Sequence, residues 1–365
     1  MLERYGHGGD LRSAAEIYGI EEGKLIDYSS NMNPLGPPSS FKGVIENYWE
    51  SITTYPDPAQ RDLLQAIANK HGVDCSNIIA GNGAAELIQL VVRYIKPGKA
   101  AIFVPSFVEY EQAIQKHGCS CVHIETYAEQ GFIPTMSQLQ ATIEKEQPVL
   151  VMLGYPNNPT GTLLPKEQLQ YLLKSGLYVV IDEAFLDFHP DEEELSTISS
   201  LATYERLFVV RSMTKFYSIP GIRLGYLLAH AKHISALKAL QVPWSVNSLA
   251  QQLGVEALSQ QQFAEQTKNW LKEEIPWFSH ELQKLGLKPF PTVTNYILVQ
   301  LSSELRLTSK ELQQLMGERG ILIRDGGKFR GLDNSYIRLA IKDRGSNESL
   351  IHTLQEVLDK RLQEE

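Results

Sequence analysis

The stretch RSMTKFYSIPGIRLGY, Arg211 to Tyr226, decides how the rest of the chain is read. It grows out of RLFVV (206–210), an apolar β-branched run that predicts a buried strand. Just past that strand come two small hydroxyls, Ser212 and Thr214, and two cations, Lys215 and Arg223, with Pro220 and Gly221 between the cations. A lysine alone at such a place is a surface residue. Two hydroxyls and an arginine around it describe either an exposed loop or a pocket for an anion that also needs an amine nucleophile. In a pocket that excludes water, the lysine pKa falls and its nitrogen becomes competent to attack a carbonyl.

Outward from this stretch, apolar runs alternate with helical spacing. NIIAGNG, AAIFVP, CVHIET, PVLVMLGYP, LYVVIDEAF, RLFVVRSM and RLGYLLA are seven strand candidates between about 77 and 229. Helical or turn stretches separate them. That alternation predicts an α/β fold, a mostly parallel seven-stranded sheet with helices on both faces. After residue 250 the texture changes to a long helical region, Ser248 to about Leu285, then KPFPTVTNYILVQL, a helix near 309–319, ILIRDGG, YIRLAI and a closing helix. This predicts a smaller α+β domain. The expected division is an N-terminal arm over 1–45 that joins the small domain, a large domain over 46–250 and the small domain over 251–365. The arm, rich in turn formers, is expected to carry little structure of its own.

In a doubly wound sheet, ligands gather at the C-terminal ends of the strands, and three more clusters fall there. GNGAAELIQ (81–89) turns a strand tightly into a helix whose first amides suit a phosphate, or it is simply a turn. GYPNNPTG (154–161) holds Asn157 and Asn158 between prolines, a turn that could also donate an amide to a ligand oxygen. VVIDEAFLDF ends an apolar strand on Asp182, whose carboxylate needs a cationic partner, in a salt bridge or on a ligand.

With 365 residues, 43% hydrophobic and 21% charged, the chain reads as an ordinary globular protein large enough for two domains. A net charge of −9 with no basic run argues against a nucleic-acid partner, but not against a small anion met by a few local cations. No apolar run is long enough to span a bilayer. The N-terminus has charges where a signal peptide is apolar, so a cytoplasmic location is expected. Three cysteines suggest free thiols. Cys119 and Cys121 read as packing residues, and no metal is expected. The acidic run DEEE (191–194) reads as a solvated loop or helix start.

Taken together, phosphate-binding turn, Asn, Asp, then Ser-x-Thr-Lys and Gly-Ile-Arg follow the order of fold-type I pyridoxal-phosphate enzymes. The resemblance runs over nearly the whole chain. It is closest to the branch that contains histidinol-phosphate aminotransferases and the threonine-phosphate decarboxylases of cobalamin synthesis. The resemblance implies pyridoxal 5'-phosphate as cofactor, with Lys215 forming the covalent link and later moving protons. Asp182 would pair with the pyridine nitrogen, and Asn157 would hydrogen-bond the phenolic oxygen. Ala84, Ala85, Ser212, Thr214 and Arg223 would bind the cofactor phosphate, and Phe107 in VPSFVEY would stack on the ring. Tyr55 in TTYPDP matches a tyrosine that reaches the phosphate of a neighbouring subunit, which implies a homodimer with shared sites.

Within that branch, three features lean toward decarboxylation of O-phospho-L-threonine, with histidinol-phosphate aminotransferase as the alternative. HGGD (7–10) followed by YSSNMNPLG resembles the decarboxylase arm, whose usual form is HGGN. His7 and Asn31 would then reach the substrate phosphate, and Asp10 stands where an asparagine is usual. Phe185 occupies the place where the aminotransferases generally have a tyrosine. Arg324 and Arg338 suit the carboxylate and phosphate of a phosphorylated amino acid, in either branch. A ligand-sensing regulator of the same fold would carry a DNA-binding module ahead of the arm, and the arm here begins almost at residue 1.

Overall fold

The computed structural model describes residues 8–363, so His7 and Tyr5 lie outside the described residues. Thirteen strands are used below. β1 is Ile26–Asp27, β2 Ile78–Gly81, β3 Lys99–Val104, β4 Ser120–Glu125, β5 Leu150–Gly154, β6 Tyr178–Asp182 and β7 Leu207–Ser212. β8 is Gly225–Ala229, β9 Lys288–Pro289, β10 Tyr296–Gln300, β11 Ile321–Leu322, β12 Arg324–Asp325 and β13 Tyr336–Ala340. Seven of them form one sheet in the order β2-β8-β7-β6-β5-β3-β4. β3 through β7 pair in parallel, and β8 runs antiparallel to both of its neighbours.

These are the seven runs expected from the sequence. The central strands are buried from end to end because helices cover both faces. The pleat divides their side chains. Val179, Ile181 and Val209 join a core with Ile67 and Leu253 on one face, while Val180, Phe208 and Met152 join Leu87 and Val91 on the other. The chain leaves β3 outward to β4 and leaves β5 inward to β6. The order therefore reverses at β3/β5, where a crevice opens beyond the strand ends.

The smaller sheet is antiparallel, in the order β12-β13-β10-β9. Its core includes Phe278, Tyr296, Ile337 and Leu354. The helical region 248–285 is two helices, Ser248–Leu258 and Gln261–Lys284, broken at Ser259 and Gln260 with no glycine or proline to announce it.

Two expectations are corrected. The arm is structured: it forms a helix, Leu11–Tyr18, and β1 pairs in parallel with β11. The Asp10 carboxylate accepts the Ser13 N–H at 3.1 Å and caps that helix, and the Ser13 hydroxyl and N–H together hold its pKa below the usual range. The acidic run is a helix start, Glu192–Leu195 following Asp191, as one of its two readings had it, but it is not wholly solvated, because Glu192 is 5% exposed and lies 3.2 Å from Lys70. Among the described residues, no helix is long and apolar enough to cross a membrane.

Candidate active site

Beyond the ends of β5, β6 and β7 lies a cavity of about 470 Å³. Its floor is an anion cradle. The helix Ala84–Ile95 starts at Gly83 without a side-chain cap, so its first amides are left to whatever sits before them. Ala84, Ala85, Ser212, Thr214 and Arg223 all line the cavity. The Ser212 and Thr214 hydroxyls are 2.9 Å apart. Close approach depends on glycine. A Cβ on Gly83, whose φ is +83°, would stand 2.6 Å from an Arg223 guanidinium nitrogen, and one on Gly225 would stand 2.7 Å from the Ala84 nitrogen.

Lys215 and Asp182 face this cradle. Burial pushes the Lys215 amine down to about 8, against the partial support of Asp182 and with Arg223 and Arg338 pushing the same way as burial. Its Nζ lies 5.9 Å from the centre of the Phe185 ring. Asp182 is buried at the end of β6, and burial raises its pKa. Two donors counter that: the Tyr110 hydroxyl at 2.8 Å and the Ala184 amide at 3.0 Å. Phe107 stands on the same wall with its ring edge-on to Tyr110.

The opposite wall comes from the smaller sheet and the N-terminal segment. Arg324 is 3% exposed and Arg338 6%, so neither is a surface ion-pairing residue. Arg338 donates to the Asn158 side-chain oxygen and to the Ser29 carbonyl, both at 2.6 Å. Ser29, Ser30 and Asn31 line the cavity together with Gly8. Asn31 is 4% exposed, and its side-chain oxygen has no hydrogen-bond partner among the described residues. A Cβ on Gly8 would stand 2.4 Å from the Ser29 carbonyl, which explains one glycine of HGGD.

The structure does not bring every expected residue to this cavity. Asn157 is turned aside: its amide donates to the Pro105 carbonyl at 3.0 Å and to Thr160 Oγ1 at 2.8 Å. Asn158 takes the place on the wall that was expected of Asn157. The sequence offered two adjacent asparagines and no local signal to choose between them; the turn's backbone decides. Tyr55 is 81% exposed and stacks on Trp244 at 4.8 Å, away from the cavity. His7 lies outside the described residues. Tyr110 and Phe329 were missed. The first sits three residues after Phe107, a spacing that puts both on one helix face.

Next to the cavity, the pleat sends the neighbouring residues the other way. Arg211, 1% exposed, lies 2.9 Å from Glu183, 3.0 Å from Asp187 and 3.5 Å from Glu192. Glu183 also accepts from Ser196 Oγ, Thr197 N and Thr197 Oγ1 at 2.7–2.8 Å. Elsewhere, Glu111, Cys121 and His123 each place one possible metal-ligand atom within 4.8 Å of the others. Glu111 is engaged by Arg330 at 2.9 Å and His123 at 3.3 Å, and burial pushes the Cys121 thiol up to about 12. Those contacts account for the cluster as packing.

The cavity fits pyridoxal phosphate. It offers a cradle that side chains would fill, a low-pKa amine, a buried carboxylate for a ring nitrogen and an aromatic wall. The fold and this site define a cofactor-dependent enzyme of the aminotransferase architecture, and residues 24–354 match the family described as aminotransferase class I and II. The chain belongs to that family. It is 38% identical to the threonine-phosphate decarboxylase of Salmonella typhimurium, over 96% of this chain and 96% of that one. It is 29% identical to the histidinol-phosphate aminotransferase of Methanothermobacter thermautotrophicus, over 98% of this chain and 95% of that one. The crystal structure of the histidinol-phosphate aminotransferase from Clostridium acetobutylicum superposes with a TM-score of 0.85 at 34% identity, covering 92% of this chain and all of that one.

Proposed function

We propose that this chain is a pyridoxal-phosphate-dependent lyase that decarboxylates O-phospho-L-threonine to (R)-1-amino-2-propanol O-phosphate, for cobalamin synthesis. The observation that carries this reading is the pairing, across one cavity, of the Lys215–Asp182 couple with two buried arginines on the facing wall. The 38% identity to a threonine-phosphate decarboxylase supports it further.

When bound, the cofactor supplies an electron sink for the bond broken at the substrate α-carbon. The protein's residues do the rest. Ala84 and Ala85 amides, Ser212, Thr214 and Arg223 hold the cofactor phosphate. Asp182, hydrogen-bonded by Tyr110 and Ala184, would pair with the ring nitrogen and keep a proton on it. Asn158 takes the phenolic oxygen, the role expected of its neighbour Asn157. Phe107 flanks the ring. The Lys215 amine, depressed to about 8, would give a proton to the α-carbon in place of the carboxyl group that leaves as CO₂. Arg324, Arg338, Asn31 and His7 would hold the substrate's two anionic groups. Their placement would orient the substrate and so choose which bond at the α-carbon breaks.

The Tyr55–Trp244 stack lies exposed alongside Trp49, Ile52 and Val242, which are 62–71% exposed. An apolar face of this kind supports a homodimer in which Tyr55 reaches the partner's cofactor phosphate. Three free cysteines fit a reducing cytoplasm.

The second reading, histidinol-phosphate aminotransferase, is favoured by the 34% identity to a solved structure of that name. Parallel incubation separates the two. Release of CO₂ from phosphothreonine without 2-oxoglutarate is expected. Amino transfer from histidinol phosphate to 2-oxoglutarate, with no CO₂ from phosphothreonine, would overturn the proposal.

A further inference from the structure

Phe329 is unused in the scheme above, yet it is among the most constrained side chains of the cavity wall. It is 3% exposed and lines the cavity. The Arg324 guanidinium carbon lies 5.2 Å from its ring centre and the Arg338 carbon 5.7 Å, so one ring carries both cations. Arg324 and Arg338 come from adjacent antiparallel strands, β12 and β13, as directly opposed partners. Cross-strand arginines repel one another, and Arg338 is held against that by Asn158, by the Ser29 carbonyl and by the Tyr296 ring 5.4 Å away. The Phe329 ring adds a wall shared by both, since its quadrupole attracts each guanidinium while its bulk limits where each can go.

The backbone that carries the ring is anchored within its own loop. The Phe329 N–H donates to the Gly326 carbonyl at 2.9 Å, and the Phe329 carbonyl accepts the Leu332 N–H at 3.1 Å. Gly326 packs so tightly that a Cβ there would stand 2.3 Å from the Tyr336 carbonyl oxygen. The next residue, Arg330, forms an ion pair at 2.9 Å with Glu111 on the large-domain helix Val108–Lys116, one position beyond Tyr110. Phe329 is thus held within its own loop, and its neighbour Arg330 links that loop to a helix packed on the large sheet.

We propose that Phe329 is a specificity-determining positioning residue. By holding Arg324 and Arg338 at a fixed reach from Lys215, it selects phosphorylated amino acids whose phosphate lies a short, defined distance from the α-carbon. This rests on the phosphoamino-acid reading above, and it adds the length rule and the residue that imposes it. Without the ring, the arginine pair loses its shared wall and the cavity gains room beside it, so longer substrates fit while short ones lose a fitted second anchor.

The test uses holoenzyme and a series of ω-phosphono-L-amino acids with one, two and three methylenes between the α-carbon and phosphorus, each measured as a competitive inhibitor. The parent should bind one length best, with the next longer compound weaker by about tenfold or more, as one surplus methylene in a fitted pocket commonly costs. In Phe329→Leu, that ratio should collapse to within about threefold, with the preference moving to the longer compounds. In Phe329→Tyr, which keeps the ring, it should stay near the parent's. Equal weakening of all three compounds in Phe329→Leu, or an unchanged ratio, overturns the inference. Failure of the parent to bind any member of the series instead overturns the phosphoamino-acid reading itself. Unchanged cofactor absorbance in the variants shows that the cofactor side of the cavity is intact.

Discussion

Asp182 and Glu183 are adjacent carboxylates at the end of one strand, and they have opposite fates. Asp182 looks into the cavity, where one phenol and one amide donate hydrogen bonds to it. Glu183 looks the other way, into an assembly of Arg211, Ser196 and Thr197 that satisfies it fully. Arg211 and Ser212 divide in the same manner one strand over. The first is locked among three carboxylates, and the second faces the cradle. A salt bridge was one reading open for Asp182, and the structure builds it with Glu183. Polar groups facing the cavity are left under-satisfied and available for chemistry. Those behind it are paired, and they hold the loop that presents the first set.

If that division is right, substitutions on the two sides should fail in different ways. The largest effect belongs to the cavity side. Lys215→Ala should abolish turnover, while the cofactor-free protein should be no less stable to denaturant than the parent, since no core contact is lost and a buried charge that weighs against folding is removed. Residual activity near the parent's would remove the amine from the mechanism.

On the other side, Arg211→Met should cost about 3–5 kcal/mol of stability, because it strands buried carboxylates without their cation. Urea unfolding measures this, and a loss below about 1 kcal/mol would mean that the assembly is dispensable. Tyr110→Phe bridges the two sides. Removing one of two donors pushes the already raised Asp182 pKa further up, so cofactor affinity should fall by roughly ten- to a hundredfold, the worth of a hydrogen bond to a charged group. Equilibrium dialysis reads it, with melting of the cofactor-free protein little changed.

The smallest expected effect is in pH. The Lys215 pKa is lowered from 10.5 to about 8, so the native chain binds fewer protons here than the unfolded chain between those values. Its charged form therefore weighs against folding below pH 8, and that cost is relieved as pH rises through this window. The neutral amine is the one that attacks, so the rate of cofactor capture by the cofactor-free protein should rise with a midpoint near 8. A midpoint near 10.5 would place the amine in solvent.

How much of this was legible beforehand varies by residue. The seven strands of the large sheet could be read because central parallel strands are buried on both faces and so appear as unbroken apolar runs. Lys215, Asp182, Ser212, Thr214 and Arg223 could be read because the chemistry sits where those runs end. The arm's helix was missed because its only strong marker is the Asp10 cap, in a segment otherwise full of turn formers. Glu192 was misjudged because a run of four acids looks solvated until a buried arginine and lysine are brought beside it.

The sequence alone determined the layered α/β architecture and the set of reactive groups, since both follow from local pattern: burial sets the strand runs, and strand ends expose the polar residues that follow them. Only the tertiary structure decided between Asn157 and Asn158, turned Glu183 away from the site, and put Phe329 under two arginines facing a lysine more than a hundred positions away. These outcomes depend on side-chain direction and on contacts between distant segments. One-dimensional spacing does not encode them; they follow from the way two domains and an arm close around one cavity.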